Sequence, residues 1–282
     1  MLMAIAAGLL LAVPQSQESD TTVAVERGTR LELSRLGGDV TVATWDRNAV
    51  RVRAEHGSTE RVDVRITGGV ATLSARGRRG RTVGMVDYIL TVPVWMDLNF
   101  SGTYGDVLIE GTQARVTVET VDGDVTVTGG RGVVALQSIS GDLDVSGASG
   151  DINLSATDGD VRARDLEGRV VAESVDGDIV LSGVRSSDVT ATSVDGDIEY
   201  GGTLRDDGRY RFVTHDGDLV LLVPERVNAT VSVATFSGSF EAAFPVTLSG
   251  TGRGKRFTFT LGSGSARIEL ESFDGSIQLL RR

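Results

Sequence analysis

Between Gly105 and Asp218 one short phrase, usually Asp-Gly-Asp followed by an apolar residue, returns at nearly constant spacing. Gly105, Gly123, Gly141, Gly159 and Gly177 stand 18 apart, Gly196 and Gly217 continue the series, and Gly132, Gly150 and Gly168 fall midway. A period of this length means stacked supersecondary units, each covering the apolar face of the next. After each glycine the residues alternate strictly, as in Asp124-Val125-Thr126-Val127 and Asp178-Ile179-Val180-Leu181. Period two with β-branched residues is the strand signal. The Asp-Gly step supplies the bend, because glycine accepts positive φ and Asp bonds nearby amides. The unit therefore reads as strand, turn, strand, turn. Stacked, such units make an all-β fold, a flattened, right-handed-type β-solenoid of about 18 residues per coil. An antiparallel meander would use the same turns and is the rival.

Composition fits many turns and few ladder breakers: 36 of 282 residues are Gly and only 4 are Pro, against usual shares of about 7% and 5%. Residues 20–100 are β-rich but irregular, with seven expected strands over Thr22–Val25, Arg30–Leu33, Asp39–Ala43, Val50–Ala54, Arg61–Ile66, Val70–Ala75 and Asp87–Val92. An uncapped solenoid end invites aggregation, so 20–100 is expected to be the cap and first coils, continuous with a repetitive solenoid over 101–282. Residues 1–17, apolar through Val13, read as a secretory signal, being shorter than the roughly 20 residues that span a bilayer. The chain has no cysteine, so an exported form would depend on packing and ladder bonds.

Three stretches carry a resemblance. Gly38 to Asp46 with Val50 to Ala54, then Tyr88 to Pro93, and the Ser-Val-Asp-Gly-Asp-Ile units at Ser174 to Ile179 and Ser193 to Ile198 resemble the bacterial "putative adhesin" domain family over roughly 20–282. The resemblance implies a β-solenoid exported to the cell envelope or surface. It supplies no catalytic residues.

The formal net charge of −11 and a single lysine, Lys255, argue against nucleic acid, which draws on clustered Lys and Arg. The run Arg76-Gly-Arg78-Arg79-Gly-Arg81 reads first as a solvated hairpin tip and second as a contact for an anionic surface. Aligned repeats would stack Asp124, Asp142, Asp160, Asp178, Asp197 and Asp218 in one column and Asp122, Asp158, Asp176, Asp195 and Asp216 in another. Unit charges about 4.8 Å apart repel by roughly 0.9 kcal/mol in water, so something must offset them. Turn amides are the first expectation; Ca²⁺ along both columns is the second, since it takes six to eight oxygens.

Catalytic motifs are absent: there is no nucleophile elbow, zinc-protease helix, P-loop or dinucleotide fingerprint. Of two histidines, His215 fills the slot held by Val121, Ile139, Val175 and Val194 in other units and is expected to be partly buried. Aromatic residues gather after residue 200, either as packing or as a partner-binding face. A non-catalytic structural or adhesive protein of the envelope, meeting a surface protein or glycan, is the first reading. The alternatives are a carbohydrate-active β-helix, which needs a local cleft of unlike carboxyl groups, and an envelope sensor. An outer-membrane barrel fits poorly, because residues 105–195 contain no Phe, Trp or Tyr to form aromatic girdles.

Overall fold

The computed structural model describes residues 17–77, 83–248 and 255–282, and the expected signal, apart from Gln17, lies outside them, as do Arg78, Arg79 and Arg81. Alternation in the sequence becomes alternation of burial: Val116–Asp122 turns Val116, Val118 and Thr120 inward and Glu119 and Val121 outward. Each repeat gives one strand to each of two 13-stranded sheets. In the repeat region one sheet takes long strands, such as Arg131–Ser140 and Ser149–Asp158, and the other short ones, such as Leu143–Ser146 and Val161–Arg164. Among the described residues no helix occurs.

Neighbouring repeats pair in parallel and in register. On the long-strand sheet Val116, Val134, Ile152, Val170, Val189 and Tyr210 are successive partners. On the short-strand sheet Val107, Val125, Leu143, Val161, Ile179, Ile198 and Leu219 follow one another. All these side chains are buried, so the columns of both sheets share one dry interior, each full burial being worth about 2 kcal/mol. Parallel pairing excludes the meander for the repeat region. The 19-residue step from Gly177 to Gly196 is absorbed by a register shift between Glu167 and Arg169. There Ser186 is buried, accepts from the Asp188 amide at 2.9 Å and donates to its carbonyl at 2.9 Å.

At both ends the chain leaves spatial order. Arg30–Gly37 and Val40–Trp45 pair directly with Leu98–Tyr104 and Val107–Thr112, while the intervening Val70–Gly77 and Asp87–Pro93 lie outside them. All seven strands expected between residues 20 and 100 are present, and Gln17–Ala24, Ala49–His56 and Glu60–Thr67 pair antiparallel.

The final repeat leaves the order of the sequence. Ala266–Asp274 and Ile277–Arg281 do not close the stack; they lie directly on Arg209–Asp216 and Leu219–Val223, and the earlier Ala229–Thr235 and Phe240–Ala242 sit outside them. The turn of the final repeat fits the ladder there. Asp274-Gly275-Ser276 offers the Ser276 amide to the Asp218 carboxylate at 2.8 Å, and Gly275 packs on the carbonyl of Gly217, where any Cβ would collide. Lys255–Leu261 then pairs antiparallel with Ala229–Thr235 as the outermost strand of that sheet.

Candidate functional site

The turn from long to short strand is the most regular surface of the molecule. Its glycines have φ between +146° and +159° from Gly123 to Gly217, and a Cβ at any of them would strike the carbonyl of the preceding turn's glycine. This close approach brings each following aspartate within reach of the next coil. The amide of Asp142 donates to Asp124 Oδ1 at 2.8 Å, that of Asp160 to Asp142 at 2.9 Å, and those of Asp178, Asp197 and Asp218 to the aspartate before each at 2.7–2.8 Å. The ladder extends beyond the expected residues through Asp106, Asp39 and Asp87. Gly38-Asp39 and Gly105-Asp106 carry the same dipeptide and were legible; Asp87 follows Val86 and was not.

Backbone amides thus supply the offset that stacked carboxylates require. Arg162 adds to it, reaching Asp142 at 2.7 Å and also bonding Asp160. Burial pushes the Asp142 carboxyl up, and the Arg162 guanidinium together with the Asp160 amide more than reverses this, leaving it below its ordinary value. Calcium needs several convergent oxygens. Each laddered aspartate already spends Oδ1 on an amide, and among the described residues no three His, Cys, Asp or Glu side chains are grouped to hold a metal ion.

One position before each turn glycine stands the second acidic column. Asp158, Asp176, Asp195, Asp216 and Asp274 are successive partners, and Asp122 lies farther along beyond Ser140. All are exposed. Two positions before the glycine stands a mostly apolar column: Val121, Ile139, Val175 and Val194 are 41–49% exposed, Phe273 46% and Phe236 70%, with the exposed Thr157 between Ile139 and Val175. His215 belongs to it and is exposed, contrary to the expected partial burial, because its slot points away from the core. Its ring stacks on Phe273 at 4.7 Å, and Phe273 stacks on Phe236 at 4.7 Å. An apolar rail flanked by carboxylates therefore runs along one edge of the solenoid and ends in three stacked rings.

The remaining late aromatics divide from these. Tyr200, Tyr210, Phe212 and Phe259 are buried. Tyr200 packs its ring 4.9 Å from that of Phe212, and the Tyr210 hydroxyl donates to the Ser186 carbonyl at 2.8 Å. Burial raises the phenols of both tyrosines, which is packing chemistry.

Near the N-terminal end, His56 is buried, with Nε2 2.7 Å from Ser19 Oγ and Nδ1 2.8 Å from the Gly57 carbonyl. The partners are 37 residues apart and meet through the antiparallel pairing of Gln17–Ala24 with Ala49–His56, which no sequence motif announces. A hydroxyl beside an oriented imidazole has the geometry of a nucleophile and base. Three surface depressions among the described residues are lined by other residues, on the faces of the sheet at Thr117–Glu173 and at Asp188–Glu269, and at the opposite turns near Gly129.

The family model described as Toastrack DUF4097 matches residues 5–168 and 134–280, so the chain belongs to that family. A "putative adhesin" from Parabacteroides merdae superposes with a TM-score of 0.54 at 11% identity, covering 94% of this chain and 96% of that one. Another "putative adhesin", from Parabacteroides distasonis, gives 0.49 at 10% identity over 94% and 97%. The first likeness shows the fold. No curated protein matches the chain. Among the described residues no helix is long and apolar enough to cross a membrane.

Proposed function

We propose that this member of the Toastrack DUF4097 family is an exported, non-catalytic adhesion module of the bacterial envelope, holding a surface protein or glycan against its edge rail. The observation that carries this reading is the rail itself. Val121, Ile139, Val175, Val194, Phe273 and Phe236 stay exposed in a molecule that buries every other apolar column of the same strands. Exposed apolar surface rimmed by charge marks interaction sites, and the rail is interrupted by Thr157 and His215 alone. The likeness in fold to the "putative adhesin" of Parabacteroides merdae supports the direction of the reading. So does the repetition of the carboxylates, which gives no unique acid and base. In this reading residues 1–17 are a removed signal, 20–100 cap a solenoid continuing over 101–282, and the coil of about 18 residues is right-handed, the hand of nearly all parallel crossovers within one sheet.

Beads coated with the chain and washed over bacterial envelope fragments test it. F236S/F273S and V175S/V194S should each lower retention about tenfold or more with little change in Tm. Unchanged retention would contradict the rail, and protease treatment of the fragments tells a protein partner from a glycan.

A further inference from the structure

Arginines on the sheet faces of the repeat region mostly sit beside an acid on the neighbouring coil. Arg185 reaches Glu167 at 2.8 Å, Arg169 reaches Asp188 at 3.6 Å and Arg211 reaches Glu269 at 2.8 Å. Arg267 breaks the pattern, with Arg209 and Thr230 as its partners, and Arg209 has to share Asp188 with Arg169. Arg209 and Arg267 are direct partners on adjacent strands, both side chains are exposed, and among the described residues neither forms an ion pair. Like charges directly opposite one another weaken a sheet. Asp188, the partner of Arg209 on its other side and already 3.6 Å from Arg169, offsets this pair only in part.

We propose that Arg209 and Arg267 form a binding site for an oxyanion, the carboxylate or sulfate group of an acidic polysaccharide. Both line a shallow depression of about 230 Å³ on the outer face of the long-strand sheet, with Asp188, Thr190, Arg211 and Glu269 around them. Arg211 and Glu269 neutralise each other there, and Asp188 stands between Arg169 and Arg209, one carboxylate against Arg169, Arg209 and Arg267. A net excess of two positive charges remains over that row. The planar forks of Arg209 and Arg267 match oxyanions through paired N–H donors, and Thr190 adds a hydroxyl that can donate or accept.

The surroundings narrow the ligand. The aromatic ring in the lining, Tyr210, is buried with its hydroxyl spent on Ser186, so no base could stack as single-stranded nucleic acid requires. A free ion on two exposed arginines is screened by physiological salt, whereas a polymer repeats the contact along its length. Only the last repeat's insertion into the stack creates the site, since residues 58 positions apart meet there. The edge rail lies on a different surface, and the two stand or fall separately.

The test uses the full chain in calorimetric titrations with dextran sulfate, oligogalacturonate, neutral dextran and inorganic sulfate. The expected result is binding of both anionic polymers, weakened by added salt, with neutral dextran inert. R209Q/R267Q should weaken that binding about tenfold or more while its Tm stays equal to or above that of the parent, because the repulsion is relieved. Equal binding by parent and variant would overturn the site, as would no binding of any anion or a Tm several degrees lower in the variant. Inorganic sulfate binding as tightly as the polymer would overturn the polysaccharide assignment.

Discussion

The middle of the stack and its two ends are built from the same turn, yet they obey different rules. From Val107 to Val223 the order of strands in space is the order in sequence. At each end the chain places one coil beyond its proper neighbour and returns to fill the gap: Arg30–Trp45 lies inside Val70–Pro93, and Ala266–Arg281 lies inside Ala229–Ala242. The comparison teaches that the repeat fixes how coils stack but not which coil goes where. In the middle, loop closure favours the next coil along, because it is nearest in sequence. At the ends that preference is overridden, and the inserted turn Asp274-Gly275-Ser276 takes the place next to Asp218 through the Ser276 amide and the close packing of Gly275 on Gly217.

The sharpest way to break this contrast is to remove residues from the middle. Deleting 142–159 joins Gly141 to Asp160 and keeps every partner in register; the shortened chain should fold cooperatively with an unchanged β-type circular dichroism spectrum. Deleting 151–159 instead sends short-strand residues to the long-strand sheet, and that chain should fail to fold. If both behave alike, the register described for the middle is wrong.

Single glycines come next. Gly159 has φ +155° and no room for a Cβ against Gly141, whereas Gly147 has φ +66° and open space around it. G159A should cost about 3 kcal/mol in a denaturant melt, from strain and displaced backbone together, and G147A about 1 kcal/mol. Equal costs would remove close coil approach as the reason for the repeated glycine.

Smaller effects separate hydrogen bonding from charge in the ladder. D178A leaves the Asp197 amide without its acceptor and should cost about 1 kcal/mol, while D178N keeps an oxygen in place, relieves repulsion and should be neutral or slightly stabilising. Asp142 adds a pH dependence. Its folded value is depressed, so the stabilisation is fully present above the unfolded carboxyl value of about 3.9 and is lost as pH falls through the folded one. The stability difference between the parent and R162Q should therefore shrink on acidification below about pH 4; a constant difference would assign Arg162 a packing role.

What could be read from the sequence follows the same divide. The alternation at Val125-Thr126-Val127 and the spaced glycines give strands, turns and the aspartate columns directly, since both depend on neighbours a fixed distance away. The outward slot of His215 was misjudged because Val121, Ile139, Val175 and Val194 look like core residues in isolation; only their position, two before a turn glycine that faces solvent, exposes them. Asp87 in the ladder, Ser19 beside His56, and Arg209 opposite Arg267 were illegible, since each pairing crosses one of the displaced ends. The rail shares that dependence, because Phe273 joins His215 to Phe236 only with the last coil inserted.

The inserted final coil can be tested in a chain that has no cysteine of its own. Val213 and Glu271 are direct partners, and Ala234 lies one strand farther on, opposite Glu271. Neighbouring strands at about 4.8 Å allow a disulfide, and a two-strand separation of about 10 Å does not. Mild oxidation should therefore link V213C/E271C and leave V213C/A234C reduced. A disulfide in the second variant and none in the first would mean that the coils stack in simple sequence order.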